Sequence, residues 1–316
     1  MKFGICPVQW GSDLNRTEKE VLLAERLGYD QAWFFEHHGS PDSYLGVPLI
    51  VISSLARKTA RIHFGAFLPL LFYHPVRLAE EAAVIDRLSR GRLILALGQG
   101  YRSDEFSLFR VSRRGRGEQF EEALEILRRL WSEKTSTFSG RYYGFDQFRL
   151  SPRPFRRKGP PLFIAATTPK AIQRAAKLGD AWFPGMLPTF SRLEQMKPFR
   201  SKTSAGGSKP VPICRDVFVA KTTEAARDQG GRYFLQFQKR HYTELLEGKN
   251  RSEIMHREEE RTIVGSVDDC IEKIRQYRKA FGITNMICKI HTPGMNPDNA
   301  AKSMRLFAKE VMPAFR

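Results

Sequence analysis

Short apolar runs alternate with amphipathic stretches along nearly the whole chain. The first run, residues 2–8, closes at Pro7 and a turn around Gly11. Residues 16–27 then place Val21, Leu22, Ala24 and Leu27 at helical spacing, with Asn15 or Thr17 as the expected cap and Gly28 as the stop. The rhythm repeats, with strands expected at 31–35, 62–67 and 93–97 and helices at 48–58 and 75–88. Pro75 opens the last of these helices, where a missing N–H costs nothing. Residues 118–131 read as an amphipathic helix, and the aromatic-rich stretch 135–150, with Gly140 and Gly144, as a small hairpin excursion. Strands at 162–165, 181–183, 211–220 and 284–290 and helices at 169–178, 268–281 and 300–314 complete the series. A long polar, mostly helical excursion from Glu224 to Glu260 precedes the last strand.

The pattern amounts to eight short strands that are apolar throughout rather than alternating, with helices between them. Strands of that kind suit a parallel sheet covered on both faces. The expected fold is therefore α/β, a (β/α)8 TIM barrel with a hairpin excursion and a helical excursion, and a doubly wound open sheet is the second choice. No shift in composition marks a boundary, so residues 1–316 are expected to form one domain.

Composition narrows the setting. Apolar residues make up 41% of the 316, enough for a sizeable core, and no apolar run approaches the ~20 residues that span a bilayer. The start, Met1-Lys2-Phe3-Gly4, runs directly into strand-like sequence and lacks the features of a signal peptide. Cys6, Cys214, Cys270 and Cys288 are widely spaced and form no CxxC pair. They read as reduced thiols of a cytoplasmic protein with no zinc site. Lys and Arg number 52 against 34 acids, a formal charge of +18, concentrated locally at 110–116, 153–158 and 200–209. No arginine-rich helix or basic-aromatic motif accompanies the excess, so anionic small ligands are favoured over nucleic acid.

Candidate chemistry follows from the fold, because barrel catalysis belongs to the carboxyl ends of the strands. The second strand runs into Glu36, His37 and His38. Adjacent histidines at a strand end point in different directions, and no further ligand cluster completes a metal set. A catalytic or ligand-contacting imidazole competes there with two rim residues bonded to backbone. The fourth strand ends in Gly98, Gln99, Gly100 and Tyr101. This fails as a dinucleotide fingerprint, since Ser103 occupies the third glycine position, but it permits close backbone approach to a flat ligand. A tight turn needing positive φ explains the glycines equally well. The fifth strand ends in Thr167 and Thr168 before a helix opened by Pro169, which is either an anion site or simple N-capping. Val8, Gln9, Trp10, Ala66, Phe67, Lys289 and His291 share the same rim. Polar, small and aromatic groups around one mouth suit a flat ligand.

The stretches "AERLGYDQAWFFEHH", "ARKTARIHFGAFLPLLFYHPVRLAEEAAVIDRLSRGRLILALGQGY", "FEEALEILRRLW" with "FSGRYY", "PPLFIAATTPKAIQRAAKLGDAWF", "GSVDDCIEKIRQYRKAFGI" and "LFAKEVMPAF" keep this order along the chain. Together they resemble the luciferase-like monooxygenase family of flavin-dependent barrels. The resemblance implies FMN, or the deazaflavin F420, at the C-terminal rim. It implies reduced FMN as a cosubstrate from a separate flavin reductase, and O2 activated as a C4a-peroxyflavin that oxygenates a small organic substrate. By motif position His37 is similar to the family's catalytic histidine, with Glu36 and His38 beside it. Ala66-Phe67 falls where the family often has a non-prolyl cis peptide behind the flavin ring. Gly98, Gln99 and Gly100 fall where luciferase-type members have cysteine, arginine and glycine, and Thr167-Thr168 replace a glutamate-serine pair. Light emission itself is therefore not expected.

Trp10, Phe67, Phe72 and Tyr101 are expected to wall an apolar pocket, with the 224–260 excursion as a lid. A homodimer is implied by the family alone. Two rival readings accompany the monooxygenase. One is an F420-dependent oxidoreductase transferring hydride, disfavoured because Gly39-Ser40-Pro41-Asp42 follows the histidines and Tyr44 is the first aromatic. The other is a non-catalytic flavin-binding or basic interaction protein.

Overall fold

A computed structural model describes residues 1–10, 13–40, 43–201, 209–245 and 258–316. All eight expected barrel strands are present: β1 (Lys2–Cys6), β2 (Gln31–Phe35), β3 (His63–Pro69), β4 (Leu93–Gly98), β7 (Leu162–Ala165), β8 (Ala181–Phe183), β9 (Pro212–Val219) and β11 (Asn285–Lys289). The expected hairpin is the antiparallel pair β5 (Ser136–Ser139) and β6 (Gly144–Phe148). One strand was not anticipated. β10 (Thr262–Gly265) lies parallel to β9, four residues whose apolar content is too brief to stand out behind the polar excursion.

The nine parallel strands run in the order β10-β9-β11-β1-β2-β3-β4-β7-β8, and the sheet curls back on itself. The N–H of Trp182 on β8 donates to the carbonyl of Pro210 just before β9 at 3.3 Å, which joins the two ends. β9 uses one edge for β11 at 212–216, and the opposite edge for β10 at 216–219. The barrel wall is thus ladder-bonded from β9 around to β8, and among the described residues the seam between β8 and β9 carries that backbone bond.

Two apolar layers follow from the period of two along each strand. On β2, Ala32 and Phe34 join the outer core beneath the helices, whereas Trp33 and Phe35 join an inner core with Cys6, Ile94, Phe163 and Phe183. The indole of Trp33 fills the barrel centre. Its Nε1 donates to Gln31 Oε1 at 2.9 Å, and its rings lie where a side chain on Gly65 would otherwise be: a Cβ there would come within 2.2 Å of the indole.

Helix ends are set by local chemistry. The helix Val267–Phe281 starts with a capping box of Ser266 and Asp269 and ends at Gly282 in the left-handed conformation. The helix Leu14–Arg26 is capped by Asp13, not by Asn15 or Thr17. Thr17 is buried instead, and its hydroxyl donates to the Val8 carbonyl at 2.7 Å, tying the helix to the tip of β1. The 224–260 excursion is helical where described, as a short helix Thr223–Ala226, a π-turn Arg227–Gly231 and the helix Arg232–Leu245, while residues 246–257 lie outside the described part. Among the described residues no helix is long and apolar enough to cross a membrane.

Gly65→Ala is expected to destabilise the fold by ~1–3 kcal/mol or more, since the indole has no room to yield inside a packed barrel. Denaturant unfolding of the two proteins measures it, and an unchanged midpoint would show that the indole is not confined as described.

Candidate functional site

A cavity of about 510 Å³ opens at the carboxyl ends of the strands. That volume lies within the range of sites for cofactors and small organic ligands. The parity that sorts β2 continues past its end. Trp33 and Phe35 face the interior, and His37, two residues on, faces the cavity. His38 turns away: its Nε2 sits 2.8 Å from Glu36 Oε1, and its ring packs edge-on against Phe109. Glu36 borders the cavity and is 4% exposed, held by His38 and by a short bond from the Tyr73 hydroxyl. The three side chains therefore do not converge on a point, and among the described residues no cluster could hold a metal ion.

The loop after β2 is pinned across the mouth. Gln9 at the tip of β1 receives the Phe35 N–H on its Oε1 at 2.6 Å and donates from Nε2 to the Trp33 carbonyl at 3.0 Å. Its own carbonyl accepts the Leu45 N–H at 2.7 Å, and the Leu45 carbonyl accepts the His37 N–H at 3.2 Å. Trp10 and Tyr44 form an isolated bridge, so both rings stand on the cavity wall.

Glu105 is the residue that sequence reasoning missed. It lies in the helix Ser103–Leu108, is 2% exposed, and places Oε1 3.5 Å from His37 Nδ1 and 2.9 Å from the His38 N–H. Arg102 stands on its other side at 3.6 Å. Burial alone would raise the Glu105 carboxyl. The neighbouring His37 ring, the bond from the His38 N–H and the charge of Arg102 outweigh it and hold the group below its ordinary value. Glu36 goes the other way: burial raises it despite the bonds from His38 and Tyr73. Two rim carboxyls are thus shifted in opposite directions by their surroundings, Glu105 downward and Glu36 upward.

The cavity wall also carries candidate anion donors. The Ala166 N–H bonds the Phe183 carbonyl at 3.2 Å and Trp182 Nε1 donates to the Ala166 carbonyl at 2.9 Å, which fixes the tip of β7. Thr167 and Thr168 follow, and the helix Pro169–Leu178 begins. Thr168 is the N-cap residue but makes no side-chain capping bond, so the hydroxyl is not spent on its own helix. Arg174, one turn further on, lines the cavity while its Nε is 2.6 Å from Glu121. Gln99 Nε2 is buried and has no hydrogen-bond partner. Gly117 makes room for Arg174, for a Cβ there would lie 2.8 Å from its Nη2, while Gln99 Nε2 stands 3.9 Å from the same point, in ordinary contact. Arg113 and Arg116 complete this set. The buried orphan amide, the uncommitted helix start and three guanidinium groups match the needs of a phosphate.

The remaining expected residues divide by parity. Phe67, Gly98, Gln99, Gly100, Tyr101, Thr167 and Thr168 all line the cavity. Ala66 does not, because it faces the outer core with Phe34. The Ala66-Phe67 peptide is trans, contrary to the family-based expectation; among the described residues the cis bond is Ser151-Pro152. Gly100 has φ +77 and serves the turn, whereas Gly98 has room for a Cβ and simply leaves the cavity wide. Phe72 stacks on Phe109 rather than lining the cavity, and His291 pairs with Glu20. Phe237 brings one ring of the helix Arg232–Leu245 to the cavity.

The structure is thus a curled parallel sheet with candidate anion donors and a histidine beside a buried carboxylate at the carboxyl ends of its strands. The chain belongs to the luciferase-like monooxygenase family, whose sequence profile matches residues 2–284. It is 24% identical to the alkanal monooxygenase alpha chain of the Kryptophanaron alfredi symbiont over 336 residues, 94% of this chain and 93% of that one. The match to a protein of Sinorhizobium fredii is 33% identical over 173 residues and spans about half of each, 54% of this chain and 49% of the other. Among solved structures, monooxygenase RslO1 from Streptomyces bottropensis superposes with a TM-score of 0.87 at 25% identity, covering 100% of both chains. The oxygenating constituent of 3,6-diketocamphane monooxygenase from Pseudomonas putida, in complex with FMN, gives 0.80 at 20% identity, covering 100% of this chain and 99% of that one. An F420-dependent secondary alcohol dehydrogenase gives 0.81 at 18%, with the same coverage. The family thus includes FMN monooxygenases and F420-dependent dehydrogenases.

Because the native Glu36 value lies above the unfolded one, the stability it contributes is present at low pH and is lost as pH rises through the native value. Wild-type stability relative to Glu36→Gln should therefore decline from about pH 4 upward. Paired thermal melts across pH measure this, and a difference that stays flat would contradict the raised carboxyl.

Proposed function

We propose that the protein is a flavin-dependent monooxygenase that takes reduced FMN from a separate reductase and uses O2 to oxygenate a small organic substrate. The observation that carries this reading is one cavity whose wall brings together candidate phosphate donors and the His37–Glu105 pair. The full-length likeness to RslO1 and to an alkanal monooxygenase chain supports oxygenation over hydride transfer.

Gln99, Thr167, Thr168, Arg116 and Arg174 would hold the phosphate, and Gly98, Phe67 and Tyr101 would border the ring. Bound reduced FMN supplies the electrons that activate O2. The chain's own contribution is proton control and dryness. An ionised Glu105, with Oε1 3.5 Å from His37 Nδ1, would favour the tautomer that carries its proton on Nδ1 and leave Nε2 as an acceptor. That nitrogen can take a proton from the substrate and return it later. Trp10, Tyr44, Phe35 and Phe67 exclude water from the same space.

His37→Ala should lower turnover by about 100-fold while FMN still binds, the usual scale for a lost acid-base group. Near-normal turnover would refute the role. Arg174→Ala should weaken FMN by about tenfold, the scale of one charge-assisted hydrogen bond, and leave riboflavin binding unchanged. Equal losses for both ligands would place the phosphate elsewhere. Tight binding of F420 with none of FMN would replace oxygenation by hydride transfer as the function.

A further inference from the structure

A second ionic group lies in the cavity wall, away from both the phosphate donors and His37. Lys289, at the end of β11, lines the cavity and is 3% exposed. Its ammonium pairs with Asp216 Oδ1 at 3.1 Å, with both side chains 4% exposed. Otherwise it meets ring faces, Phe237 at 4.2 Å and Trp10 at 5.5 Å from the ring centres. An ammonium has three N–H donors, and the contact with Asp216 is an ion pair in which Oδ1 accepts no hydrogen bond.

Among the described residues, the surroundings pair this cation but leave its N–H groups without acceptors. Asp216 is shared, since its Oδ2 accepts from Gln238 Nε2 and the Gln238 Oε1 accepts from Arg261 at 3.0 Å. The Arg215 guanidinium adds another buried positive charge, bound to the carbonyls of Cys214 and Pro188 and to the Tyr277 hydroxyl rather than to an acid. The thiols nearby, Cys6 and Cys214, are held neutral by burial, Cys6 pushed up to about 12. Lys289 thus faces the cavity with a shared carboxylate as its ion-pair partner and, among the described residues, no hydrogen-bond acceptor for its ammonium. A buried charge is costly unless it is paired and hydrogen-bonded, so the arrangement favours an acceptor arriving from the cavity.

The aromatic wall says what that acceptor is attached to. Trp10 stacks on Phe237 at 5.4 Å, stands 5.7 Å from Tyr44, and Tyr44 meets His37 at 5.1 Å. A continuous band of rings therefore runs from Lys289 to His37. We propose that Lys289 anchors the substrate through an acidic oxygen, and that the site takes flat ring compounds bearing a carboxylate or a phenolate. The band of rings carries the skeleton of such a molecule toward His37, and Asp216 is a positioning residue that holds the ammonium at the wall. Fixing one end of the substrate on Lys289 selects which carbon lies beside the reactive end of the cavity.

This inference rests on the reading of the cavity as a joint cofactor and substrate site, and its test separates the two. FMN binding is measured by flavin fluorescence. Binding of 2-naphthoate, 2-naphthol and 2-naphthamide, three probes of one shape, is measured by calorimetry with and without FMN. Naphthoate is expected to bind at least about tenfold more tightly than naphthamide, equivalent to ~1.4 kcal/mol. If the natural group is a phenolate, naphthol shows that preference instead and binds with the absorption of its anion. Lys289→Met should abolish the preference and leave FMN binding intact, whereas Arg174→Ala should keep the preference. The double variant Lys289→Met, Asp216→Asn carries no uncompensated carboxylate and should behave like Lys289→Met if the single variant fails to fold. Equal binding of the three probes, binding of none, or a preference that survives loss of Lys289 would overturn the proposal. Failure of FMN to bind while the preference remains would overturn the cofactor reading alone.

Discussion

The site depends on one buried carboxylate. Glu105 accepts the His38 N–H and faces His37, so it joins the tip of β2 to the short helix that follows β4. Neither partner is placed without the other. The strand delivers an imidazole to the rim, and the helix supplies the charge that orients it. Arg102 backs the carboxylate, and burial keeps water from weakening the pair. A loop bond in the same region, from the His37 N–H to Leu45, fixes the backbone through the Gln9 bridge. The chemistry is therefore held by the scaffold, with the apolar barrel interior below and the aromatic band above.

The architecture was legible because each strand is a short, wholly apolar run and each helix has a stop signal. All eight barrel strands lie where periodicity put them, and the hairpin lies between Ser136 and Phe148. β10 was not legible, because four residues carry too little pattern. The capping of the first helix was misjudged for a tertiary reason: Thr17 is drawn inward to serve β1, which leaves Asp13 to cap.

The site was legible only in part, and strand parity explains most of the gap. Alternation decides that His37 faces the cavity while His38 turns outward, and that Phe67 faces inward while Ala66 does not. That rule was available in the sequence once Trp33 and Phe35 were assigned to the interior. Glu105, Arg116 and Arg174 come from helices, and their place at the cavity follows from three-dimensional closure, which no local pattern reveals. The basic stretch 110–116 registered only as charge, yet two of its arginines line the cavity. Arg174 uses space left by Gly117, a relation between two helices that chain order does not show.

The central claim is that one cavity holds a flavin with its phosphate at the helix start and its ring beside His37. A crystal structure of the protein soaked with FMN tests it most directly. The account predicts phosphate oxygens within hydrogen-bond distance of Gln99 Nε2 and Arg174, with the ring edge next to His37. FMN bound outside this cavity, or with its phosphate pointed toward His37, would contradict it.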